Sequence, residues 1–138
     1  MATMTPAQRS KFLNTTRLGI LCTLSVQGDP LSVPVWFEWD GSVVRFFSYT
    51  SAPKVARLRK RPRASMLVVN NVGETEAWVA FDGDVAIGDH GAMELADRLA
   101  ARYWDLADPA RAAELAAWRA MASSFCLLTL RPAQIRSS

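Results

Sequence analysis

The chain has 138 residues, half of them apolar, and a formal net charge of +3. That length can bury a core without disulfides or metal, and the apolar share excludes a disordered chain. Only two cysteines occur, Cys22 and Cys126, each inside an apolar strand-like run, and His90 is the only histidine. Neither a disulfide framework nor zinc-ligand spacing is present. No apolar run approaches a membrane span, and residues 1–16 lack the apolar centre of a signal peptide. A single domain over 1–138 and a cytoplasmic location are therefore the expectations.

Thr5-Pro6 predicts a short helix to about Leu13, with Thr5 as N-cap and Pro6 at its first position. Leu18, Ile20, Cys22, Leu24 and Val26 alternate with Gly19, Leu21, Thr23 and Ser25, the period of a half-buried strand. Gln27-Gly28-Asp29-Pro30 turns the chain into a second strand, Leu31 to Glu38. Pro34 cannot donate to a ladder, so this strand is an edge or is interrupted there. An interruption leaves backbone groups free to bond a flat polar ring; a plain edge strand accounts for the same residue.

Asp40-Gly41 signals a tight hairpin into a strand from Val43 to Tyr49. Thr50-Ser51-Ala52-Pro53 then opens a basic helix, Lys54 to Arg61, before a strand from Ala64 to Asn70. Thr50 or Ser51 can cap, and Lys54 adds a charge beside free backbone donors, which makes a phosphate cradle. A solvated basic helix packing Val55 and Leu58 on a sheet fits the same pattern, since no Gly-rich loop is present.

Thr75 to Ile87 predicts a long strand, with Asp82-Gly83-Asp84 as a bulge or bend. Asp89 can cap a helix from about Gly91 to Trp104, and Asp108-Pro109 starts another. Phe125 to Leu130 is a final strand, ended by Arg131-Pro132. Six strand-like segments with helices at their edges predict a mainly β fold, a small antiparallel barrel. Trp104 and Trp118 are expected to fill a core or a subunit interface.

Ten Lys/Arg fall in residues 1–63 against three acidic residues, and six Arg against ten Asp/Glu in 64–138. Positive charge concentrates between Lys54 and Arg63, which suits a local anionic ligand. The acidic second half, and aromatics that do not interleave with the basic cluster, argue against a nucleic-acid partner. No Ser-His-Asp, Cys-His or paired-carboxylate arrangement stands out, and His90 sits in a surface-like turn. Any reactivity is then expected to come from a bound cofactor.

The run from Arg17 to Leu24, then Gly28-Asp29-Pro30 and Val33-Pro34-Val35-Trp36-Phe37, resembles the opening of the pyridoxamine-phosphate-oxidase-like split-barrel flavoproteins. Phe47-Ser48-Tyr49-Thr50, Lys54, Leu58, Pro62-Arg63 and the closing Leu128 to Pro132 continue the resemblance in order. The short length and the Pro-Val-Trp-Phe run are similar to the branch that uses the deazaflavin F420. The resemblance implies an antiparallel split β-barrel, a homodimer and a cofactor site at the subunit interface. By the same resemblance Ser32, Val33, Pro34, Val35 and Trp36 line the cofactor's ring. Ser48, Tyr49 and Thr50 contact the ribityl chain and phosphate, Lys54 pairs with the phosphate, and Arg59 joins these contacts. Trp78 approaches from the second subunit. Family members often carry an acidic residue where Arg61 stands. The implied function is F420-dependent hydride transfer to a small organic substrate. An FMN-binding oxidoreductase, or a non-catalytic binder of flavin, deazaflavin or haem, is the alternative. Tyr49 is a candidate proton donor or a structural hydroxyl, and no catalytic residue or metal is assigned.

Overall fold

A computed structural model of the protein describes residues 3–138. The first helix, α1 (Pro6–Asn14), starts at Thr5, whose hydroxyl accepts from Gln8 N–H while the Gln8 side chain accepts from Thr5 N–H. It is followed by β1 (Gly19–Leu24), β2 (Pro30–Val35), β3 (Glu38–Trp39) and β4 (Val44–Tyr49), then α2 (Pro53–Lys60) and β5 (Arg63–Val69). After β6 (Trp78–Gly88) come α3 (Ala92–Tyr103) and α4 (Pro109–Ala120), and β7 (Phe125–Ser137) closes the chain.

The seven strands form one antiparallel sheet in the order β2-β1-β5-β6-β7-β4-β3. It is a curled half-barrel of the split-barrel class. Phe37, Phe46, Phe81, Leu21, Met66 and Leu128 fill its concave side, and Val55 and Leu58 of α2 are buried there too. β2 is an edge, so Pro34 leaves no ladder bond unmade toward an outer neighbour.

Several expectations are corrected. The buried face of β1 is Gly19, Leu21 and Thr23, while Leu18 and Leu24 face outward. Both faces of this strand are largely apolar, so alternation alone does not choose between them. Neither Thr50 nor Ser51 caps α2; its N-cap is Ala52, which offers no side-chain acceptor. Asp89 does not cap α3. Gly91 does, with φ +87, a left-handed conformation that a β-carbon disfavours.

The last strand does not stop at Pro132. Asp82 pairs with Gln134 and Gly83 with Pro132, so the register shifts there. Ala133 is the extra residue of this bulge, and β7 runs on to Ser137. Gly83 is needed there because a β-carbon would lie 2.1 Å from the Arg131 carbonyl oxygen. The predicted bulge at Asp82-Gly83-Asp84 is thus present. Beside it, the Arg136 guanidinium holds the Asp82 carboxyl below the usual carboxylate range, helped by the Ser65 hydroxyl.

Candidate functional site

The end of β4 and the start of α2 set the site. Thr50 N–H donates to Ser124 O at 2.8 Å, and Ala52 N–H donates to Tyr49 O at 3.0 Å. That turn delivers Pro53 to the first helical position and Lys54 to the mouth of a cavity of about 440 Å³. Pro34, Val35 and Trp36 supply one wall, from the end of β2 and the residue after it, and Phe47, Ser48 and Tyr49 of β4 supply another. Leu18, Phe125 and the two helix-borne tryptophans, Trp104 and Trp118, complete it.

The cavity wall combines one cation, Lys54, with a cluster of aromatic rings. Lys54 is half-buried, and it makes no hydrogen bond or ion pair among the described residues. Burial, then the nearby Arg57 charge, pulls its pKa below the ordinary lysine value. Among the aromatic lining residues Trp36 meets Trp104 edge-on at 4.8 Å between centroids, and Trp104 lies 5.0 Å from Trp118. Phe47 and Phe125 pack against Trp118. Tyr103 stacks on Trp36 at 5.1 Å, and its hydroxyl donates to the Arg17 carbonyl at 2.6 Å. Burial raises the Tyr103 pKa. With its proton committed to Arg17, Tyr103 positions Trp36 rather than serving as an acid. Tyr49 stacks on Phe125 at 4.6 Å, is 43% exposed and keeps its hydroxyl without a protein partner among the described residues.

A second depression, about 330 Å³, adjoins the main cavity and is lined by Thr50, Arg59, Gly88, Asp89 and Cys126 among others. The Cys126 thiol is buried and donates to Ser48 O at 3.7 Å. Burial pushes its pKa up, against the Thr50 hydroxyl and the charges of Arg59 and Lys54. Burial thus disfavours the thiolate, the form in which a cysteine acts as a nucleophile.

Of the residues singled out in the sequence, Pro34, Val35, Trp36, Ser48, Tyr49 and Lys54 line the main cavity. Thr50 and Arg59 line the adjoining depression. Ser32 and Val33 pair with Cys22 and Leu21 farther along the edge strand, away from either lining. Trp78 opens β6 beside Val69, on the outward face of the sheet. Cross-strand partners share a face, so Leu18, Ile20, Leu67, Val69 and Trp78 make one outward apolar surface, bounded by Ser65 and the Asp82–Arg136 ion pair. Sequence reasoning missed Leu18, Phe47, Trp104, Trp118 and Phe125. The available signal was Trp118, a lone large aromatic in the alanine-rich run Pro109–Ala120.

A curled antiparallel half-barrel with a cavity between its β2 edge, β4 and α2 defines a protein of the split-barrel class. The family model for pyridoxamine 5'-phosphate oxidase matches residues 5–138, and the chain belongs to that family. It is a family of flavin- and deazaflavin-binding split barrels that includes oxidoreductases. Among solved structures the chain is similar to an F420 reductase, at 23% identity and a TM-score of 0.75, covering 91% of this chain and 94% of that one. It is also similar to a conserved hypothetical protein from Mycobacterium tuberculosis, at 24% identity and a TM-score of 0.73, covering 97% and 84%. An FAD-binding protein from Mesorhizobium loti matches at 18% identity and a TM-score of 0.68, covering 99% and 93%. At these identities the structural likeness speaks for the fold alone. The comparison with curated proteins finds no match.

Proposed function

We propose that the protein is an F420-dependent oxidoreductase acting on a small, neutral, apolar organic substrate. The observation that carries this reading is Lys54, a half-buried cation without a protein counter-ion among the described residues, in the wall of a cavity otherwise lined mainly by aromatic and apolar side chains. A flat ring joined to a phosphate matches that lining. Bound there, such a cofactor supplies the hydride chemistry, and the protein supplies binding and orientation. Pro34 to Trp36 would back the ring, Ser48 and Thr50 would face the linker, and Lys54 would hold the phosphate. Trp104 and Trp118 would keep water from the reacting face.

Among the described residues, Lys54 is the only cation lining the cavity. With a cofactor phosphate on it, no charge remains for a phosphorylated substrate, which favours a neutral one. The outward apolar face supports a homodimer. Leu18 belongs to that face and also lines the cavity, so a second copy there would help to wall the site. One domain over 1–138 is part of the same reading.

FMN is the second reading, because its single phosphate suits Lys54 equally. Titrating the protein with F420 and with FMN, followed by absorbance and calorimetry, tests the choice. Tighter F420 binding is expected; tighter FMN binding at every salt concentration would replace the deazaflavin reading with the flavin one.

A further inference from the structure

The two helices between β6 and β7 are held very differently. α3 buries Ala92, Leu95, Ala96, Leu99 and Ala100. It is also tied down by Arg98 to the Glu38 carboxylate, by Arg102 to the Leu13 carbonyl and by Tyr103 to the Arg17 carbonyl. α4 buries Leu115 alone and half-buries Trp118, while its other residues are exposed. Its polar ties to α3 and the turn after it are the Arg119–Asp97 ion pair at 2.8 Å, both side chains exposed, and Arg111 over the Trp104 ring at 4.6 Å. Among the described residues no backbone hydrogen bond joins α4 to another helix or strand.

The composition of α4 matches that loose attachment. Six of its twelve residues are alanine, the strongest helix former, and Asp108 caps it ahead of Pro109. An isolated helix of this length is still marginal in water, so its order depends on where Leu115 and Trp118 dock. Trp118 docks in the cavity wall, its ring between 5.0 and 6.0 Å from those of Trp104, Phe47, Trp36 and Phe125. Short turns flank the helix. Asp105 closes the first on itself, accepting from Ala107 N–H through its side chain and from Asp108 N–H through its carbonyl. The second, a 3-10 turn at Ala122–Ser124, ends on the Ser124 carbonyl, which accepts from Thr50 N–H at 2.8 Å.

We propose that α4 is a lid on the cavity, opening at its two flanking turns to admit ligand and closing with Trp118 against the bound ring. The inference rests on the reading of the cavity as the site of a ring-bearing cofactor. Elements with few buried contacts open locally at far lower free energy than the whole fold, and ligand gates are drawn from them. Trp118 and Leu115 are the latch, and the exposed Arg119–Asp97 pair is a weak outer clasp. The rest of the wall stays in place when the lid opens. Trp36 is stacked on Tyr103 of the well-buried α3, and Phe47 and Phe125 lie in the paired strands β4 and β7. A ring in the cavity gives Trp118 contacts that the open state lacks, so ligand favours the closed lid.

Hydrogen exchange of the full chain, resolved by element, tests this. In the ligand-free protein the α4 amides should exchange about tenfold or more faster than those of α3, and saturating F420 or FMN should slow them by a similar factor. Arg119→Ala removes the clasp and touches neither the cavity nor the core. It should speed α4 exchange about two- to fivefold, leave α3 exchange unchanged, and raise the association and dissociation rates of the cofactor together. α4 amides that exchange no faster than those of α3, or that a bound cofactor leaves unchanged, overturn the lid while the cofactor reading stands. Protection of α4 that grows with protein concentration assigns its exposed face to a second copy and overturns the lid as well. No binding of either cofactor to the wild-type protein overturns both readings.

Discussion

Replacing Lys54 with methionine should move stability and ligand affinity in opposite directions. In the folded chain the Lys54 pKa lies below its ordinary value of 10.5, chiefly through burial and then through Arg57. A base whose folded pKa is lowered binds its proton less tightly in the native state. Its charged form therefore opposes folding at neutral pH, and that opposition fades as pH rises through the folded pKa toward the unfolded one. Methionine keeps most of the stem's volume and removes the charge, so the ligand-free variant should melt higher at pH 7. Its stability should also lack the rise with pH on the alkaline side that the lowered Lys54 pKa is expected to give the wild-type protein. Binding of a phosphate-bearing cofactor should weaken by about 1.5–3 kcal/mol, the range for a hydrogen bond to a charged group, or roughly ten- to 150-fold in Kd. Thermal melts across pH and calorimetric titration of the same two proteins read both effects. A lower ligand-free melting temperature together with unchanged affinity would refute the reasoning, since Lys54 would then be a structural cation.

Gly83→Ala should destabilise by about 3 kcal/mol in urea titrations, because the new β-carbon meets a backbone oxygen at 2.1 Å and cannot swing away. Leu67→Glu places a charge in the middle of the outward apolar face and should convert the proposed dimer to monomer by sedimentation, with cofactor affinity falling alongside. Trp118→Ala should weaken ring binding by about 0.5–1.5 kcal/mol in the same titrations and leave inorganic phosphate affinity unchanged, because the indole lines the cavity but offers a phosphate no charge.

The parts of the fold legible in the sequence were those specified by local chemistry. The Thr5-Pro6 start of α1, the Asp40-Gly41 hairpin and the Asp108 cap each depend on one or two residues whose side chains bond nearby backbone. The bulge at Gly83 was equally local. Its consequence on the other strand was not, because Pro132 ends a strand unless its partner has shifted register at that point. The polar lining of the cavity was readable for the same reason, since Ser48 to Lys54 is one continuous stretch. The aromatic lining comes from three separate segments, Trp36, Trp104 and Trp118, which meet only through tertiary packing.

The phase of β1 connects these failures to function. A strand with polar residues on one face declares its inner side, because burying an unpaired polar group is costly. β1 has Leu21 on the buried face and Leu18, Ile20 and Leu24 on the other, so hydrophobic pattern leaves the two registers nearly equivalent. The discriminating residues are Gly19 and Thr23. A β-carbon at Gly19 would come within 2.9 Å of Met66 Sδ and 3.1 Å of Phe37 Cδ1, so any side chain there would make these core residues shift. Thr23 is buried because its hydroxyl accepts from Arg57. That bond ties the inward face of β1 to the basic helix, while Leu18 on the outward face reaches the cavity mouth. One strand thus carries the anchor of the anion-binding helix and a wall of the cavity, on opposite faces. The outward residues are apolar for a reason that a single chain does not reveal, namely that in the proposed dimer they are interior. A cofactor that touches Lys54 and the Leu18 rim would then couple binding to assembly, so ligand should tighten the dimer as well as raise the melting temperature.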